Sequence, residues 1–270
     1  MAAAAAAAAA VPPTRPDSPA ARPTPAESAD APAGPARPAG AGTVRTFHPR
    51  RSALGPRRAE ALTRLWPAHG FDVDDPGQPP PLTATGVLDT ERLFGRRAPL
   101  VVEIGSGMGE AVLAMAAADP ARDYLACEAH VPGVANLLVT LTDGGPANVR
   151  VAAGDALELL RRWVPAGSLA AVHAFFPDPW PKARHHKRRL LRPDRLAFLA
   201  SRLQVGGTLH VATDWAPYAA EVLAAVDAEP TLVNTHGGYA PRPDHRPVTR
   251  FEERAAAAGR PAFDIVAVRR

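Results

Sequence analysis

The chain has 270 residues and a formal net charge of +4, with a pI of about 9.8. Its single cysteine, Cys127, excludes an internal disulfide and a cysteine-cluster metal site. No apolar run approaches the ~18 residues of a membrane span, so a cytoplasmic protein without membrane contact is expected, and the basic pI suits a polyanionic partner.

Residues 1–43 contain 18 Ala and 9 Pro, with no aromatic residue and no periodic apolar face. Such a tract buries too little surface to offset the entropy of ordering, so a disordered tail is expected. It lacks the basic start of a secretory signal. Residues 44–270 are expected to form one domain. Arg45, His48, Arg50, Arg51, Arg57 and Arg58 make its start basic, as a solvated surface or an RNA-contacting arm. A helix is predicted over 59–66, and a loop with three consecutive prolines over 74–81.

From residue 100 the pattern alternates. Strands are predicted over 100–104, 123–127, 149–152, 169–176 and 208–212, and helices over 110–118, 132–142, 157–163, 192–203 and 217–227. Repeated βα units of this length predict an α/β fold, a mostly parallel doubly wound sheet covered on both faces. Segments 232–235 and 263–268 would add antiparallel edge strands.

The first βα turn reads Glu103-Ile104-Gly105-Ser106-Gly107-Met108-Gly109. Its G-x-G-x-G spacing differs from the G-x-G-x-x-G of dinucleotide binders. A carboxylate two residues before Gly105 suits an ammonium better than a pyrophosphate, and S-adenosylmethionine carries an ammonium beside its sulfonium. Glu128 ends the second strand, where an acid can accept from ribose hydroxyls. Asp155 follows the third strand, where an acid can accept from an adenine amino group or simply cap its helix. Three acids at successive strand ends, with the glycines, favour a cofactor site.

The fourth strand delivers Phe176-Pro177-Asp178-Pro179-Trp180-Pro181-Lys182. Two prolines stiffen the backbone around Asp178. Trp180 offers a stacking face for an unstacked base. The following tract, Arg184-His185-His186-Lys187-Arg188-Arg189, offers phosphate contacts. His185 and His186 lie among cations with no acid close in sequence, and no metal is expected. Thr213-Asp214-Trp215 ends the fifth strand. Further on, Thr249 reads as a helix N-cap, with Glu252 at the capping-box position.

Four stretches carry a specific resemblance: EIGSGMGE at 103–110, FFPDPWPKARHHKRRLL at 175–191, HVATDWAPYA at 210–219 and RPVTRFEERA at 246–255. The chain resembles the bacterial tRNA (guanine-N7)-methyltransferase family from about residue 45 to its end. The resemblance implies a Rossmann-like class I methyltransferase fold, S-adenosylmethionine as donor, and N7 methylation of guanosine at position 46 in the tRNA variable loop. By motif, Glu103, Glu128 and Asp155 would bind the donor with the glycines 105, 107 and 109. Asp178 would be both cofactor-adjacent and catalytic. Lys182, Asp214, Thr249, Arg250, Phe251 and Glu252 would bind substrate. Pro181 stands where many relatives carry histidine, and Arg250 where many carry lysine, which exchanges a point charge for a planar fork.

Guanine N7 has an in-plane lone pair and no proton, so no base is needed to expose it. Orientation and electrostatics carry the reaction. As N7 is alkylated the N1–H and N2–H become more acidic, and a carboxylate on that edge binds more tightly. Asp178 and Asp214 are both candidates. The same residues would also suit an adenine or cytosine amino-methyltransferase, or a non-catalytic RNA-binding protein on this fold.

Overall fold

A computed structural model describes residues 46–47, 53–75, 77 and 79–270. The expected tail over 1–43, and Arg45, His48, Arg50 and Arg51 of the basic arm, lie outside the described residues.

Helix α1 (Pro56–His69) starts on a proline, where no N–H donor is needed. Arg58 Nη2 donates to Asn136 Oδ1 at 3.0 Å, and Arg57 pairs with Asp143. These two arginines of the basic arm therefore reach the next-but-two helix of the domain. Strand β1 (Gly70–Asp72) and helix α2 (Thr90–Phe94) follow, both unforeseen. Each is too short to show a period, and Asp89 caps α2 by accepting from Arg92 N.

The alternating core then runs β2 (Leu100–Ile104), α3 (Glu110–Ala118), β3 (Asp123–Glu128), α4 (Val131–Thr142), β4 (Val149–Ala153), α5 (Ala156–Trp163) and β5 (Leu169–Phe175). A 3₁₀ turn over Ala183–Arg188 leads to α6 (Pro193–Arg202), β6 (Leu203–Thr213), α7 (Ala216–Ala228), β7 (Leu232–Asn234), α8 (Arg250–Ala257) and β8 (Phe263–Arg269). The sequence-based expectation began β6 at residue 208. The strand in fact pairs from Leu203, and takes five residues where β5 takes two, from Leu169 to Ala171. Gly206 and Gly207 accommodate that bulge.

The eight strands are ordered β1-β4-β3-β2-β5-β6-β8-β7. All neighbours are parallel except β8, which runs antiparallel to both β6 and β7. Winding reverses between β2 and β5, the place where open α/β sheets hold ligands. Val102, Leu125, Val172 and Leu209 point to a core with α5, α6 and α7. Val101, Ala126, Val151 and Ala171 point to a second core with α1, α3 and α4. Burial on both faces explains why these strands read as continuous apolar runs. Among the described residues no helix is long and apolar enough to cross a membrane.

Candidate active site

Gly105, Gly107 and Gly109 turn the chain out of β2 with φ values of 78°, 56° and 88°. Side chains rarely adopt these angles. A Cβ on Gly105 or Gly107 would meet nothing within 4 Å, so the space above the turn is open. Gly105 N and Ser106 N donate to Cys127 O at 2.8 and 3.1 Å. Gly107 N donates to Glu128 Oε2, and His130 N to Glu128 Oε1, each at 2.6 Å. The glycine turn and the exit of β3 are thus one hydrogen-bonded unit.

Glu103 is 3% exposed, and its Oε2 has no hydrogen-bond partner among the described residues. Burial first, and the Glu128 carboxylate second, push its pKa up to about 8. An unsatisfied buried carboxylate oxygen costs free energy until a donor reaches it. Burial also raises the pKa of Glu128 against the pull of its backbone donors, and nearby Asp178 adds to the rise. Asp155 caps α5, accepting from Leu157 N at 2.8 Å, and burial raises its pKa. Its capping and its place at a strand end are therefore not alternatives.

The exit of β5 is strained. Phe176 and Trp180 have φ of 50° and 44°, uncommon for bulky residues. Between them Asp178 is exposed. Trp180 corrects the expectation of an open stacking face. It is 5% exposed, its Nε1 donates to Thr46 O at 3.1 Å, and the Arg188 guanidinium lies 4.9 Å from its ring. The basic tract divides as well. Arg189 is 2% exposed, donates to Pro179 O at 2.8 Å, pairs with Glu221 and covers the Tyr218 ring. It props up the turn that carries Asp178 and offers nothing to a phosphate. Lys182, Arg184 and Lys187 are exposed.

Asp214 pairs with Arg260 at 2.8 Å. Thr249 caps α8, accepting from Glu252 N at 3.3 Å. The Glu252 carboxylate does not complete the capping box. It accepts from Arg246 at 2.5 and 3.0 Å. Arg246 also donates to Asp264 at 2.7 and 2.8 Å, and its guanidinium lies 5.6 Å from the Phe176 ring. Arg250 pairs with Glu110 at the start of α3. Phe251 is 47% exposed and packs 5.1 Å from Phe176. So α8 is held against the β5 exit, and Phe251 is the open aromatic face there.

Glu110, Arg246 and Asp264 escaped sequence reasoning, as did His173, His210 and His245, which cluster one layer beneath Phe175. A histidine inside each of two apolar strands was the available signal. A cavity of about 330 Å³ lies at the opposite end of the sheet, lined by Leu88, Thr90, Leu100, Val164, Ser168 and Gln204 among others. Among the described residues it is lined by no charged side chain and by no part of this constellation.

Residues 97–265 match a family model described as a putative methyltransferase. The chain is 47% identical to a tRNA (guanine-N(7)-)-methyltransferase of Streptomyces coelicolor over 225 residues, 83% of this chain and 80% of that one. It is 44% identical to a protein of the same name from Acidovorax sp. over 255 residues, 94% of this chain and 96% of that one.

Proposed function

This chain belongs to the tRNA (guanine-N7)-methyltransferase family, and we propose that it transfers a methyl group from S-adenosylmethionine to N7 of a guanosine in the tRNA variable loop. The observation that carries the choice of donor is Glu103 Oε2, buried and without a partner among the described residues, beside a glycine turn with open space above it. That oxygen fits an ammonium. The free lone pairs of Glu128 fit ribose hydroxyls, and the oxygen of Asp155 not used for capping fits an adenine amino group. When bound, the donor supplies an electrophilic methyl group on a sulfonium.

The chain's own residues do the rest by placement and charge. Asp178 is exposed on a stiff, strained turn next to Glu128, whereas Asp214 is engaged by Arg260. That difference favours Asp178 as the acceptor for the guanine N1–H and N2–H edge. Its charge helps most as the alkylated ring becomes cationic. Phe251 takes the stacking role that Trp180 is too buried to perform. Lys182, Arg184 and Lys187 supply phosphate contacts around it. Residues 44–270 act as the catalytic domain.

The test is incubation with unmodified tRNA and labelled donor, followed by digestion and nucleoside identification. Label in 7-methylguanosine from the variable loop is the expected result. Label on an exocyclic amine, or none, would replace this proposal.

A further inference from the structure

His173 on β5, His210 on β6 and His245 in the loop before α8 bring three imidazoles together far apart in sequence. One ring nitrogen from each lies within 4.8 Å of the other two. His173 and His210 are register partners across adjacent strands, so their side chains leave the same face of the sheet. The rings of His210 and His245 lie 5.2 Å apart, and those of His173 and His245 5.8 Å apart.

From this geometry we propose that the three histidines form a binding site for one divalent transition-metal ion of the zinc class, which would clamp the loop before α8 onto β5 and β6.

Protonation states favour coordination. Asp264 Oδ1 lies 2.7 Å from His210 Nε2. Asp264 also accepts from Arg246 through both carboxylate oxygens, so the carboxylate is the acceptor and His210 Nε2 carries the proton. In the neutral ring the lone pair is then on Nδ1. That atom sits 3.1 Å from His245 Nε2. Ligand nitrogens around tetrahedral zinc lie about 3.3 Å apart, given bond lengths of roughly 2.0–2.1 Å. The pair is already at coordinating separation. His173 is 4% exposed, and its Nδ1 has no hydrogen-bond partner among the described residues. His245 faces solvent, so on binding it can carry its proton on Nδ1 and present Nε2.

The surroundings suit a cation. A carboxylate orienting the far side of a ligand imidazole is the usual outer shell of a zinc histidine. Two carboxylates, Asp264 and Glu252, face one guanidinium, Arg246. Arg122, the other cation felt by His173 and His245, pairs with Asp119 at 3.3 Å. Three imidazoles without a thiolate suit zinc, nickel or cobalt, and leave a fourth position for water.

The test uses the full chain without a histidine tag, stripped with chelator. Zinc titrated by calorimetry should bind at one equivalent, and cobalt(II) should show tetrahedral ligand-field absorption. His245→Ala should weaken zinc binding by about 100-fold, the upper end of what losing even an outer-shell partner costs. His245→Cys should keep the site and add a thiolate-to-cobalt charge-transfer band. That band reports coordination at position 245 even if the alanine variant fails to fold. The double variant His185→Ala/His186→Ala should bind zinc like the parent. A parent that takes up no stoichiometric zinc, a folded His245→Ala of parental affinity, or a cobalt-loaded His245→Cys without the thiolate band would each overturn the site.

Discussion

Gly107 N donates to Glu128 Oε2 at 2.6 Å, so the acid proposed to meet a ribose also holds the turn above which the donor would lie. Open space and binding charge are set by one contact. Removing the carboxylate would unfasten the turn as well as the proposed ligand contact.

Glu128→Ala is therefore expected to weaken S-adenosylmethionine binding and also to lower stability, by about 1–3 kcal/mol for the two backbone donors left without their acceptor. tRNA affinity should stay nearly unchanged. Calorimetry with the donor and denaturant unfolding read the two effects separately. Unaltered stability would mean that the turn holds without Glu128.

Glu103 makes the fold pH-sensitive. Its ordinary pKa is 4.5, and the folded chain raises it to about 8. Between those values the native state keeps a proton that the unfolded state has lost. Its contribution is therefore fully present below pH 4.5, declines as pH rises by up to about 1.4 kcal/mol per unit, and levels off above about 8. Glu103→Gln mimics the protonated acid, so its stability relative to the parent should grow from pH 5 to 8 while donor binding drops. Parallel stability curves for parent and variant would remove the raised pKa.

Asp178→Asn is expected to fold normally, since the side chain is exposed, and to lose roughly 10²–10³ in turnover. Asp214→Asn should lose less, because Arg260 already engages that carboxylate. Single-turnover rates at saturating tRNA decide. The reverse order would transfer the guanine-edge role to Asp214.

The basic tract should divide by function. Replacing Lys182, Arg184 and Lys187 with Ala should flatten the slope of log tRNA affinity against log salt by about 2–3 units. Melting temperature should barely move. Arg189→Ala should leave the slope alone and cost about 1–3 kcal/mol through its lost hydrogen bonds and packing. A slope lowered by Arg189→Ala in a fully stable protein would return that residue to the RNA face.

Much of this molecule follows from local patterns. Apolar runs of five to seven residues, alternating with helices of which three carry proline in the first turn, yield the parallel sheet. Glu128, Asp155 and Asp178 end those runs or follow them within three residues, and Glu103 interrupts the first of them, positions legible without knowledge of packing. The glycine spacing is equally local, since positive φ is a property of one residue. Sequence also locates the basic tract, but not the direction in which each cation points.

That direction belongs to the tertiary structure. The 3₁₀ turn over Ala183–Arg188 sends neighbouring cations to different sides, so Lys187 faces water while Arg189 is sealed under Pro179. Trp180 is turned inward by its positive φ and capped by Arg188, which composition could not reveal. His173, His210 and His245 meet only through the register of β5 on β6 and the return of the chain before α8. Periodicity reports which face a residue occupies within one element. Which residues share that face across elements is decided by long-range pairing, and pairing is set by the packing of the whole sheet.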